Sequence, residues 1–230
     1  MSGILDLIFP RKCLGCGRIG SYFCADCLNF LSLKDEPICP MCGHFAIGGL
    51  THPGCRRLLG MDGLTAIFAY KGLIKKAIKK IKYRFVSDMA GDLIEAFLSF
   101  CGESKTFSSF VLEKPILVPI PLHAKRLRWR GFNQSELLGK IIAENLGLDF
   151  APNLLIRTKE TQPQADLSKE ARQRNIHGVF KVNSNSQLSI FHSQFIIFDD
   201  VWTSGATLRE ATKVLKRSGA NKVWGLTIAR

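Results

Sequence analysis

The sequence predicts an α/β fold, a mostly parallel sheet with helices on both faces, preceded by a small cysteine-rich module. Three observations carry this expectation. From Leu64 onward, apolar runs of strand length alternate with segments of helical periodicity. One stretch, Phe195 to Leu208, joins an apolar strand, two acids, a small polar turn and the start of a helix. Residues 1–60, by contrast, hold seven of the eight cysteines and almost no apolar core beyond Phe23, Phe30, Leu31 and Leu33.

Six of these cysteines form C-x-x-C pairs, Cys13/Cys16, Cys24/Cys27 and Cys39/Cys42, and Cys55 follows His52 by three residues. In a reducing compartment this spacing points to metal rather than disulfides. Thiolates and an imidazole grouped in fours select zinc. Cys13-Leu-Gly-Cys16-Gly17 and Cys39-Pro-Met-Cys42-Gly43 are zinc-knuckle turns. Sequential pairing puts Cys13, Cys16, Cys24 and Cys27 on one ion and Cys39, Cys42, His52 and Cys55 on a second. A cross-braced pairing, and His44 in place of His52, stay open. With so little apolar surface, the metal has to supply the folding energy of this module. The turn-rich stretch Arg57 to Gly63 puts the boundary near residue 60, giving a module over 1–60 and a sheet domain over 61–230. Cys101, alone in an apolar helical pattern, reads as core.

The sheet domain begins with a strand over Leu64–Tyr70. A helix over 71–84 carries Ile74, Ile78 and Ile81 at helical spacing, with Lys75, Lys76, Lys79, Lys80 and Lys82 on its other face. A second helix covers Asp88 to Cys101. Pro115–Pro121 is a strand whose prolines suit its ends, followed by a basic turn from His123 to Gln134 and a helix stopped by Gly147. The polar stretch from Arg157 to Phe180 lacks strand alternation, and its length suits a lid. Strand Phe195–Phe198, helix Leu208–Arg217 and strand Val223–Ile228 complete the chain.

The stretch Phe195-Ile-Ile-Phe-Asp199-Asp200-Val-Trp-Thr203-Ser204-Gly205-Ala206-Thr207 carries chemistry. A short turn entering a helix leaves backbone N–H groups aimed with the helix dipole at an anion. Thr203, Ser204 and Thr207 add hydroxyls, and Gly205 lets the backbone approach. Two carboxylates repel phosphate but accept hydrogen bonds from vicinal hydroxyls. Acids followed directly by an anion cradle therefore fit a ribose 5-phosphate. The stretch resembles the phosphoribosyl pyrophosphate (PRPP) signature of type I phosphoribosyltransferases. That resemblance implies that Asp199 and Asp200 hold the ribose hydroxyls and that Thr203, Ser204, Gly205, Ala206 and Thr207 hold the 5-phosphate.

Net charge is +13, and residues 1–62 contribute little of it, with six Lys/Arg against five Asp/Glu. The bases concentrate at 71–84, at Lys125–Arg130 and at Arg172–Lys181. A pI near 9.6 suggests contact with a polyanion. The candidates are the lysine face, Lys75, Lys76, Lys79, Lys80 and Lys82, together with Lys125, Arg126 and Arg128. The lysines of 71–84 are expected to stand apart from the phosphate site. No apolar run approaches the roughly 20 residues that span a bilayer, and the N-terminus lacks the layout of a signal peptide, so a cytoplasmic protein is expected.

The ordered motifs, C-x-x-C-G twice, Lys82-Tyr83, Val118-Pro-Ile-Pro-Leu-His123, Arg130-Gly-Phe-Asn-Gln134, Thr161-x-x-Gln164-x-x-Leu167-Ser168, Arg172-x-x-Asn175-x-x-Gly178-x-Phe180 and Asp199-Asp200, resemble the ComF family across nearly the whole chain. His52 departs from it, standing where a cysteine is usual. The resemblance implies a double zinc ribbon fused to a type I phosphoribosyltransferase-like domain, acting in natural competence, DNA uptake and transformation with single-stranded DNA as a partner. It further implies that Arg130, Gly131, Asn133 and Gln134 edge the PRPP site and that 158–175 is the lid. Transfer of a phosphoribosyl group releases pyrophosphate, with Mg²⁺ bridging oxygens of the donor. Lys159 and Arg172 are the candidate catalytic contacts to pyrophosphate. A salvage-type nucleobase phosphoribosyltransferase is the alternative, though no base-recognition loop is readable.

Overall fold

The computed structural model describes residues 10–31, 36–83, 87–102, 104–161, 169–186 and 188–230. Four parallel strands form the sheet, in the order β1 (Gly63–Phe68), β6 (Lys222–Ala229), β5 (Gln194–Val201) and β2 (Ile116–Pro119). Strand alternation sends Ile196 and Phe198 to one face and Phe195 and Ile197 to the other, and each set is fully buried. Both faces are therefore covered, as an all-parallel sheet requires.

The first face packs against α2 (Gly72–Tyr83), α3 (Ser87–Cys101), α4 (Lys105–Leu112) and α6 (Gln134–Leu146) through Ile78, Phe97, Phe107 and Ile142. The second packs against α8 (Ala206–Arg217) through Leu208, Ala211 and Leu215. A small antiparallel hairpin, β3 (Leu155–Arg157) with β4 (Phe180–Val182), adds Leu155 and Phe180 to this second core. Each such side chain contributes roughly 1.5–3 kcal/mol when fully buried.

Several elements differ from the sequence expectation. The first strand spans Gly63–Phe68 rather than Leu64–Tyr70. The basic turn contains a helix, α5 (Ala124–Arg130), whose N-cap is His123. Helix α4 was not foreseen, although Ser104 caps it by accepting from the Phe107 N–H. The three-residue strands of the hairpin are too short to show alternation. Helix α8 starts at Ala206, two residues before the apolar periodicity. Part of the expected lid, including Gln164, Leu167 and Ser168, lies outside the described residues. Its C-terminal part forms α7 (Lys169–Ile176).

The cysteine-rich module, which includes the short helix α1 (Ala25–Asn29), is not held by its ligands alone. Phe23 is buried in the first core of the sheet domain, with Leu14, Tyr22 and Leu28 packed beside it. Phe30 is 86% exposed. At the module's far end, Leu50 bridges to Gly63 and the Thr51 N–H donates to the Asp62 carbonyl at 2.9 Å. Gly63 itself lies under the Trp224 ring, where a Cβ would come within 2.3 Å of it.

Candidate functional site

A cleft of ≈ 720 Å³ opens beyond the carboxyl ends of β2 and β5. In open parallel sheets this edge is where ligands bind. Asp199 and Asp200 end β5 at its floor. Lys82, from the last turn of α2, reaches across and pairs with Asp200, Nζ to Oδ2 at 2.5 Å. Burial by itself would lower the Lys82 pKa, but Asp200 and Asp199 outweigh it and raise it. Asp199 accepts from the Ser135 hydroxyl at 2.9 Å and from the Asp200 N–H at 3.0 Å. Desolvation and the adjacent Asp200 charge push its carboxyl up to about 7, against the opposing pull of Lys82. One lysine thus serves two neighbouring carboxylates, and the pair retains capacity for hydroxyl donors or a hard cation.

The anion loop follows. Thr203, Gly205, Ala206 and Thr207 line the cleft at the N-terminus of α8. Gly205 has φ +73, and a Cβ there would come within 2.2 Å of the Trp202 ring, so only glycine fits. Ser204 does not line the cleft. It is buried, and its hydroxyl accepts from the Ala206 N–H at 3.4 Å, shaping the turn from behind.

The opposite wall comes from α5 and α6. Positions three and four apart share a helix face, and Arg126, Trp129 and Arg130 turn toward the cleft. Lys125 instead pairs with Glu160 at 3.2 Å, and Arg128 is exposed away from the cleft. Arg130 also donates to the Gln134 side chain. Gly131 and Asn133 stand at the ends of these helices. Gly131 ends α5 in the left-handed region, φ +83. Asn133 caps α6, accepting from the Ser135 N–H at 3.2 Å and donating to the Ile120 carbonyl at 3.1 Å. These two residues place Arg130, Gln134 and Ser135, which line the cleft.

The lysine face needs correction. Lys75, Lys79 and Lys82 line the same cleft as the anion loop, so they do not stand apart from it. Lys76 and Lys80 are exposed, and the Lys76 Nζ donates to the Leu14 carbonyl of the module at 3.4 Å. Lys159 is exposed and does not line the cleft, its Nζ lying over Gly178. The Arg172 side chain lies outside the described residues. Arg157 is a further basic residue of the cleft, one that carries no local motif. It sits at the end of β3, lines the cleft, stacks over Phe180 at 5.7 Å and donates to the Thr161 hydroxyl. Burial and the nearby Arg126 lower its pKa to about 10, with Asp199 pulling the other way. At neutral pH it is a cation. The turn after α7 is tied to α8 by buried Glu210, which accepts from the Gly178 N–H at 2.8 Å. Six basic side chains then face two carboxylates in the cleft.

In the module, the ligand atoms form two groups, Cys13/Cys16/Cys24/Cys27 and Cys39/Cys42/His52/Cys55, each with all members within 4.8 Å of one another. The pairing is sequential, and His52 rather than His44 completes the second group. The Cys16 and Cys24 sulfurs lie 3.6 Å apart, and Cys42 Sγ lies 3.5 Å from His52 Nδ1. A tetrahedron with bonds of about 2.0–2.3 Å has edges close to these values. His52 Nε2 contacts the Phe45 carbonyl at 2.8 Å, which orients the ring with Nδ1 toward the sulfurs. Burial would raise the Cys13 thiol, but the N–H groups of Cys24, Cys16 and Gly15 overcome it and bring the pKa to about 6. Cys39 is held at about 7 in the same way, chiefly by the Cys42 N–H against burial. The donor set fits two structural zinc ions.

Residues 4–57 match the model of the double zinc ribbon domain. The chain is 30% identical to the DNA utilization protein YhgH of Escherichia coli (strain K12) over 198 residues, covering 84% of each chain. It is 30% identical to competence protein ComFC of Bacillus subtilis over 219 residues, 90% of this chain and 83% of that one. It is 27% identical to competence protein F of Haemophilus influenzae over 229 residues, 96% and 98%. Among solved structures it is similar to adenine phosphoribosyltransferase from Leishmania tarentolae, at TM-score 0.29 and 16% identity over 56% of this chain and 74% of that one. A second is the allosteric regulatory enzyme of purine biosynthesis, at TM-score 0.31 and 16% identity over 49% of this chain and 21% of that one. Among the described residues no helix is long and apolar enough to cross a membrane.

Proposed function

Because the chain belongs to the family that includes competence protein F, ComFC and YhgH, we propose that it binds Mg-PRPP in the cleft, contacts single-stranded DNA along the cleft's basic rim, and serves DNA uptake and transformation from the cytoplasm. One observation carries this reading: two carboxylates at the end of β5 abut the loop at the N-terminus of α8 within a single basic cleft. Thr203 and the N–H groups of 205–207 take the 5-phosphate, and Asp199 and Asp200 accept from the ribose hydroxyls. Arg126, Arg130 and Arg157 face the pyrophosphate. The donor's Mg²⁺ neutralises pyrophosphate charge, and the acid pair supplies the hard oxygens it prefers. On transfer to an acceptor, the bond between ribose C1 and the pyrophosphate oxygen breaks, the acceptor bonds to C1, and the arginines hold the leaving charge. The module over 1–60 acts as a structural unit beside the sheet domain over 61–230.

Calorimetry tests the donor site. Asp199→Asn/Asp200→Asn should weaken Mg-PRPP binding by about 100-fold, since each charged hydrogen bond contributes roughly 1.5–3 kcal/mol. Equal affinity in variant and parent refutes the assignment. Since Lys75 and Lys79 line the cleft, Mg-PRPP should also displace a fluorescent oligonucleotide from the parent, and Lys75→Ala/Lys79→Ala should lower the salt slope of oligonucleotide binding.

A further inference from the structure

Arg209 lies on the first turn of α8 yet does not face the cleft. Its Nε donates to the Pro40 carbonyl at 2.6 Å, across 169 residues of sequence. Its NH1 donates to the Ser204 carbonyl at 2.8 Å, and its guanidinium stacks on the Trp202 ring at 5.2 Å. Pro40 is the residue between Cys39 and Met41, inside the knuckle that presents two ligands of the second metal cluster. Ser204 is the second residue of the 203–207 loop, and Trp202 is the ring on which Gly205 is seated. One planar cation therefore joins the metal knuckle to the backbone that forms the anion cradle.

We infer that Arg209 is a positioning residue through which metal at Cys39/Cys42/His52/Cys55 sets the phosphate affinity of the 203–207 loop, an inference that rests on the PRPP reading of that loop. The physical argument has two steps. The direction of the Pro40 carbonyl is fixed by the knuckle turn, in which the Gly43 N–H donates to the Cys39 carbonyl and the Cys39 N–H to the His44 carbonyl, both at 2.9 Å. That turn carries Cys39 and Cys42, so a metal held by both ties it shut, and loss of the metal removes the tie. The Ser204 carbonyl, in turn, is turned back toward Arg209, so this contact holds the loop backbone that carries the N–H groups of 205–207. A guanidinium spans both carbonyls because its donors form a rigid fork, whereas an ammonium is a single point charge. The neighbouring Glu210 makes no part of this link. It binds the turn after α7 at Gly178 instead.

The test is a double-mutant cycle on the full chain, with Arg209→Lys, His52→Ala and the two combined. Each protein is read by zinc content, by amide hydrogen exchange over residues 203–208 and by Mg-PRPP calorimetry. Arg209→Lys should keep both zinc ions, yet its loop amides should exchange about tenfold faster and its Mg-PRPP affinity fall about tenfold, a typical coupling for residues in one network. His52→Ala should lose one ion and show the same two changes. The double variant should be no worse than either single variant. Loop exchange that ignores His52→Ala overturns the inference, and so do effects that add in the double variant. If the parent binds no Mg-PRPP, the reading of the loop fails while the exchange measurements still decide whether Arg209 carries the coupling.

Discussion

In the module, Cys13 and Cys16 stand one tight turn apart, and the ligands of each cluster come from within a short span of chain. In the cleft, Lys82 meets Asp200 and the Ser135 hydroxyl donates to Asp199, pairs drawn from separate elements around the sheet. Both regions gather charged or metal-seeking groups that would repel one another if left alone. The module balances them with metal and with N–H groups of the same turns. The cleft balances them with packing, because two buried cores hold the strand ends that carry the acids. The difference teaches that a site made of local turns depends on its ion, whereas a site made of distant elements depends on the fold. Phe23 and Arg209 are where the two kinds of dependence meet.

The sharpest way to break this comparison is to remove the first ion. Cys13→Ser should lose one zinc and release residues 10–31, because structural zinc contributes on the order of 10 kcal/mol to such units. Since Phe23 belongs to the sheet domain's core, the thermal midpoint of the whole chain should also fall by several degrees. A midpoint unchanged in calorimetry would mean the module is merely appended.

A smaller effect is expected in the cleft. Lys82→Met leaves Asp200 buried without its cation, which should cost about 3–5 kcal/mol in urea unfolding. Asp200→Asn added to it should recover most of that loss, since the uncompensated charge is then gone. If the double variant is as unstable as the single, the pair is not what Lys82 is there for.

The smallest effect concerns pH. The Asp199 carboxyl sits at about 7, raised above its ordinary range by desolvation and Asp200. Folding therefore binds a proton at this site between roughly pH 4 and 7, and the site costs stability as pH rises through 7. Ribose hydroxyls need the ionised form. Mg-PRPP affinity should be about tenfold weaker at pH 6 than well above pH 7, because each unit below the pKa reduces the ionised fraction tenfold. Asp199→Asn should abolish that part of the dependence, seen by calorimetry from pH 6 to 8. A profile identical in the variant would assign the dependence to another group.

Much was legible before any coordinates. The C-x-x-C spacings named six of the eight ligands because i, i+3 geometry in a tight turn needs only local sequence, while the choice of His52 over His44 waited for the structure. The run Phe195–Thr207 announced strand, acids, turn and helix start for the same reason: each part is specified by its neighbours in the chain. The α/β class followed from periodicity. What only the tertiary structure decided lies at longer range. That Lys82 turns into the cleft rather than out to solvent depends on α2 ending beside β5, which the sheet order sets. That Arg157 lines the cleft while Lys159, two residues on, does not depends on a hairpin too short to leave a periodic signal. That Gly131 and Asn133 cap helices shows only once α5 and α6 exist as separate helices. The link from Arg209 to Pro40 had no local signal, because that partner is brought to it by the docking of the module on the sheet domain. Short-range sterics and ligand spacing are written in the sequence, but the pairing of charges across a sheet edge is fixed by which strands become neighbours.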